Sequence, residues 1–157
     1  MGREGQALLD GALGGLAGTA TMSVLMLVAR EAGLTGELPP EALAGAALAA
    51  GGAERPAEET KDAAAVALHF GFGGGVGALY GLFRRRLRPP VSAPLEGCLL
   101  GSLIWFVSYK GWVPALGIMP PPERDRPGRP VTMLLAHWIY GWTLVAILDR
   151  RQRQAPR

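Results

Sequence analysis

Three stretches of this chain are long enough to cross a lipid bilayer without a single formal charge: residues 11–29, 63–83 and 131–148. A helix rising about 1.5 Å per residue needs roughly 20 residues to cross a hydrocarbon core of about 30 Å. A fourth stretch, residues 91–113, carries Glu96 near one end and Lys110 near the other around an apolar centre, GCLLGSLIWFVSY. Charges at helix ends can reach the headgroups, so this stretch also reads as a crossing. Only 18% of the 157 residues are charged, and the charges cluster between the apolar runs, as they do in membrane proteins. The expectation is an all-α, polytopic membrane protein with one domain over residues 1–157. It is a four-transmembrane-helix bundle with helices at about 8–30, 62–84, 91–113 and 131–149.

The connections at 31–61 and 114–130 are expected outside the hydrocarbon. Pro39-Pro40 opens the Ala-rich run EALAGAALAAGGA, too short to cross and read as a surface or interfacial helix. PALGIMPPPERDRPGRP is too rich in proline to be regular. The first apolar run is longer than a signal-peptide core, and VAREAG is a poor cleavage site, so a retained helix is expected. Basic residues crowd the ends of the second and fourth crossings at Arg84, Arg85, Arg86, Arg88, Arg150 and Arg151. The other connections mix theirs with acids. Both termini are therefore expected on the cytoplasmic side of a bacterial inner membrane, with these arginines as topology anchors touching lipid headgroups.

Residues 67–90, ALHFGFGGGVGALYGLFRRRLRPP, invite a phosphate-loop reading. A dinucleotide fingerprint needs a preceding strand and a later acid, and a Walker loop needs Lys-Ser or Lys-Thr; neither is present. Gly73, Gly77 and Gly81 are instead spaced by four on one helix face, where small residues let another backbone approach. Gly14 and Gly18, Gly97 and Gly101, and Gly141 offer similar packing positions. GGLAGT in the first helix parallels GCLLGS in the third, and HFGFG in the second parallels HWIYG in the fourth. An internal repeat of two helical hairpins is one reading of this, and chance recurrence of small residues is the other. Glycine faces could also pack against a second copy or another membrane subunit.

Both histidines, His69 and His137, fall at equal depth in their helices. With Ser23 and Thr21, and with Ser108 and Tyr109, they are expected to form an intramembrane polar site. Polar groups in lipid either glue helices together or mark function. Glu96 and Asp10 are expected at the headgroups, solvated. Two imidazoles are too few for zinc, so no metal is expected. A b-type haem between two histidines is a further alternative, and otherwise no cofactor is expected. Cys98 is alone and reads as a small buried apolar group. No nucleophile arrangement, paired carboxylates or nucleotide loop points to an enzyme, and the basic clusters do not call for nucleic acid.

Three places carry a family resemblance: His69 with Tyr80 eleven residues on, PALGIMPP after the third crossing, and HWIYGW in the fourth. With these the last two thirds of the chain resembles the YagU-like family of bacterial inner-membrane proteins. The resemblance implies an integral inner-membrane protein and supplies no reaction or ligand. The functional expectations are an accessory membrane bundle, a small transporter or proton-linked carrier using the histidine pair, or a haem protein.

Overall fold

The structure, a computed structural model, describes residues 2–53, 55–87 and 89–154. Arg88 lies outside these residues. The described chain is helical, with no strand among the described residues. Helix α1 runs Arg3–Glu31, α2 Pro39–Ala50, α3 Glu58–Leu87, α4 Ala93–Trp105, α5 Val113–Ala115 and α6 Arg129–Gln154. Three of them, α1, α3 and α6, are long and apolar enough to cross a membrane, with mean hydropathies of 1.7, 1.4 and 1.7 over their best windows. Each overruns its apolar stretch, because the charged ends are also good helix formers and continue the backbone ladder.

The fourth expected crossing is not one α-helix. Residues 93–115 are helical throughout, but α4 widens into a π-helical segment over Phe106–Trp112 before α5. The π ladder ends where the Val113 amide donates to the Ser108 carbonyl. Pro114 follows and has no N–H to return to the preceding turn, so the α ladder cannot run through this point.

The long helices are ordered α3, α1, α6, α4: α1 packs on both α3 and α6, and α4 packs on α6. Helices α3 and α4 do not pack against each other along their length. Glycines dictate this order. A Cβ on Gly77 would fall 2.7 Å from the Gly15 Cα, and one on Gly81 would fall 2.9 Å from the Gly11 Cα. The α1 and α3 backbones are therefore in contact. On the other flank a Cβ on Gly101 would lie 2.6 Å from the His137 carbonyl carbon, and Gly97 and Gly141 abut each other. Gly14 and Gly18 face α6 instead, against Leu144 and Tyr140.

This corrects the repeat. In a two-hairpin repeat, Gly14 and Gly18 of α1 would face α3, as Gly97 and Gly101 of α4 face α6. Both motifs face α6, and the α3 contact is made by Gly11 and Gly15, one position out of register. The faces of Gly73, Gly77 and Gly81, of Gly14 and Gly18, and of Gly97, Gly101 and Gly141 are filled from within the chain.

The outward faces are apolar. Val24, Leu79, Leu103 and Val131 are 63%, 69%, 59% and 63% exposed. The core is built of Met22, Met26, Met133, Leu144 and Tyr140.

Gly75 and Gly77 form a matched test. Nothing lies within 4 Å of a Cβ built on Gly75, whereas one on Gly77 would meet α1 backbone. Gly77→Ala should lower stability by about 2 kcal/mol or more. Gly75→Ala should leave it unchanged or raise it by about 0.5–1 kcal/mol. Unfolding in detergent micelles measures both.

Candidate functional site

Because α3 and α4 stand apart, a cleft of about 490 Å³ opens between α3 and the π segment. Its floor is α1 and α6, through Thr19, Met22, Met133, His137 and Tyr140. One wall is α3, with Leu68, His69, Phe72 and Val76; the other carries Ile104, Ser108, Tyr109 and Trp112. Helix α2 roofs it with Leu43, Ala46, Ala47 and Ala50, an i, i+3, i+4, i+7 face. The mouth lies between α3 and α5, where the lining residues Leu68, Phe72 and Leu116 are still 44%, 46% and 68% exposed. The Phe72 and Trp112 rings meet across this gap, centroids 6.5 Å apart.

The roof is tethered at its N-terminal end by two salt bridges. Arg30 at the end of α1 reaches Glu41 at 2.6 Å, and Glu41 also accepts from the Leu38 amide at the start of α2. Lys61 reaches Glu37 at 3.0 Å, and that carboxylate holds the lysine ammonium above its ordinary pKa range.

His69 and His137 line the same cleft, so the fold brings the two histidines to one site. The His137 Nδ1 is 2.7 Å from the Met133 carbonyl oxygen. A carbonyl only accepts, so Nδ1 bears the proton. His69 Nε2 is buried without a hydrogen-bond partner. Ser108 and Tyr109 also line the cleft, but their protons point away from it. Ser108 donates to the Ile104 carbonyl at 2.6 Å, and Tyr109 donates to Asp125. Ser23 does not join them. It donates to the Thr19 carbonyl and lines a second cavity of about 430 Å³ on the other side of His69. Thr21 bonds Thr143 of α6 at 3.0 Å and lies outside both cavities. Two residues of the floor carried no signal in the sequence. Tyr140 donates to the Gly73 carbonyl at 2.7 Å, and Thr19 donates to the Gly15 carbonyl at 2.8 Å. Thr19 fills the space over Gly73, in contact that a Cβ there would forbid.

The end of the bundle remote from the cleft is closed by charge. Glu96, expected to be solvated, is 4% exposed. It takes two bonds from Arg84, at 2.5 and 3.1 Å, and one from the Tyr80 hydroxyl at 2.6 Å. Arg84 also reaches Asp149 at 2.6 Å. Arg84 is thus a cross-link among α3, α4 and α6 rather than a lipid anchor. A buried carboxylate is tolerable only when paired, and the Arg84 guanidinium serves two acids with its fork. Asp10 lies 3.9 Å from Arg151. Arg85, Arg86, Arg150 and Arg151 stay exposed, with Arg86 on Glu4 at 2.8 Å.

The cleft end has a matching knot. Tyr109 and Arg129 both bind Asp125, and Arg129 donates to the Thr35 carbonyl at 2.7 Å. Gly36 and Gly128, both in the left-handed region at φ +67° and +94°, bend the two connections together there. Among the described residues no group of three His, Cys, Asp or Glu could hold a metal ion. The imidazoles of His69 and His137 line the cleft, and Cys98 is half-buried on α4.

Residues 5–157 match the family of unknown function DUF6789. No curated protein and no solved structure matches the chain.

The Arg84 cluster is open to test. Glu96→Ala should cost about 3 kcal/mol, since it removes one partner of a buried pair. Arg84→Met added to it should recover part of the loss. A double-mutant cycle from unfolding in detergent measures the coupling.

Proposed function

The chain belongs to the family of unknown function DUF6789, and we propose that it is a multi-pass membrane protein that binds an apolar small molecule in the cleft. In this reading α1, α3, the continuous helical run 93–115 and α6 are four spans of a bacterial cytoplasmic membrane. Their exposed Val24, Leu79, Leu103 and Val131 face lipid tails. Both ends of the chain lie in the cytoplasm, and α2 lies over the cleft at the opposite surface.

The observation that carries the reading is the cleft. Its volume of about 490 Å³ falls in the range of small-molecule sites, about 300–1,000 Å³, and its lining is apolar with a few convergent polar atoms. Nothing in it resembles a nucleophile, a paired acid and base, or an oxyanion cradle, so binding rather than catalysis is the role proposed. The bundle then serves as an accessory membrane protein that stores or presents its ligand.

A carrier is the second reading. It is favoured by the asymmetry of the bundle: the cleft opens in one half, and the Arg84 cluster seals the other. A carrier would need the seal and the mouth to exchange roles. Flux into proteoliposomes that varies with pH, and is lost in His69→Gln and His137→Gln while the fold persists, would support it.

Two measurements test the main reading. Native mass spectrometry from mild detergent should find an apolar small molecule bound to the chain. Ala47→Phe, which fills the cleft from its roof, should remove it. For orientation, with Cys98 replaced by Ala, an impermeant maleimide on intact cells should label Ala53→Cys and Pro127→Cys and spare Gln154→Cys. The reverse pattern would invert the bundle.

A further inference from the structure

We infer that the ligand of the cleft is an apolar molecule headed by a neutral hydroxyl, which donates its proton to His137; this rests on the cleft being a binding site, as proposed above. The protons of the hydroxyls that line the cleft are committed within the chain. A hydroxyl has one proton to donate. Those of Thr19, Ser108 and Tyr140 go to the carbonyls of Gly15, Ile104 and Gly73, at 2.8, 2.6 and 2.7 Å. That of Tyr109 goes to Asp125. These four oxygens therefore offer the cleft lone pairs only.

His137 adds a stronger acceptor. With its Nδ1 proton held by the Met133 carbonyl, Nε2 of the neutral ring carries a lone pair. His69 Nε2 on the α3 wall is buried without a partner. The obligate side-chain donor of the lining is the Trp112 indole, which stands beside Phe72 at the mouth. An occupant that reaches the floor meets more acceptors than donors and must bring a proton of its own.

The choice among donor groups follows from charge. Among the described residues no carboxylate lines the cleft, so an ammonium head would enter a poorly solvated site without a counter-ion there. A hydroxyl brings a proton without charge. An ether or ketone of the same outline brings no proton and leaves His137 Nε2 unpaired. Met22, Met133, Leu43, Val76 and Ile104 surround the space above, which suits an alkyl or aromatic body.

The test uses the full chain in lipid nanodiscs, with para-octylphenol and its methyl ether, para-octylanisole, as probes. Calorimetric titration, corrected with empty discs, gives both affinities. The phenol should bind about tenfold tighter, the ratio expected when a buried acceptor gains a partner. His137→Leu should bring that ratio close to one while the ether still binds. Equal affinities in the native chain, or an ether that binds tighter, would overturn the hydroxyl inference and leave the cleft a binding site. Should the native ratio hold but survive His137→Leu unchanged, His137 is not the acceptor and the inference fails. If neither probe binds above the empty discs, the binding-site reading fails with it. The native ratio needs no variant to fold.

Discussion

Between α1 and α3 two helix backbones touch, and the remaining geometry depends on that contact. Side chains normally hold helix axes about 8–10 Å apart, and only glycine lets carbonyl oxygens meet the Cα atoms of a neighbour. Gly11 and Gly15 on one side, and Gly73, Gly77 and Gly81 on the other, supply that surface. The same helix presents Gly14 and Gly18 to α6, so α1 carries two glycine faces and becomes the centre of the bundle. Helices α3 and α4 are consequently placed on opposite flanks, and the cleft is the space their separation leaves.

Several polar side chains are satisfied by the helix backbones themselves. Thr19, Ser23, Ser108, Tyr140 and His137 all bond backbone carbonyls that are already part of a helical ladder. A carbonyl has a second lone pair, so the side-chain proton is satisfied without breaking the helix. Charges are handled differently. They gather at the two ends of the bundle, where an arginine, a carboxylate and a tyrosine close each knot: Arg84, Glu96 and Tyr80 at one, Arg129, Asp125 and Tyr109 at the other. Ion pairs of this kind contribute little net stability, because desolvation offsets the attraction, but they penalise any arrangement that separates the partners. They thus hold α3 to α4 and α6 at one end while the other end stays parted.

The cleft therefore combines an apolar wall, a floor of acceptors and a roof tethered by two salt bridges. Histidine is what distinguishes it from a packing defect. A void lined only by Met, Leu and Val would ask nothing specific of an occupant. His69 Nε2 without a partner, and His137 Nε2 left free by the bond at Nδ1, give the site a direction and a chemical preference. The binding role proposed for the cleft, with carriage as its extension, rests on those two nitrogens.

Much of the fold could be read from residue order, because membrane-length apolar runs and glycine spacing are local properties. The runs at 11–29, 63–83 and 131–148 became α1, α3 and α6, and the Ala-rich segment after Pro39-Pro40 became α2. Equal depth in two helices was enough to expect His69 and His137 together, since the distance along a helix axis is set by residue count alone. What the residue order could not carry was rotation about those axes. Ser23, Thr21 and Ser108 sit at similar depth, yet only Ser108 faces the cleft, because a helix turned by about 100° per residue sends neighbours to different partners. Gly11 and Gly15, not Gly14 and Gly18, meet α3 for the same reason. Arg84 and Glu96 read as separate charges at a surface, and only the convergence of α3, α4 and α6 made them one buried cluster with Asp149. The sequence by itself determined which segments are helical, how deep each polar group lies and where a backbone can be approached. The tertiary structure decided which faces meet, and with them the cleft and its chemistry, because facing is a property of pairs of helices and not of either one alone.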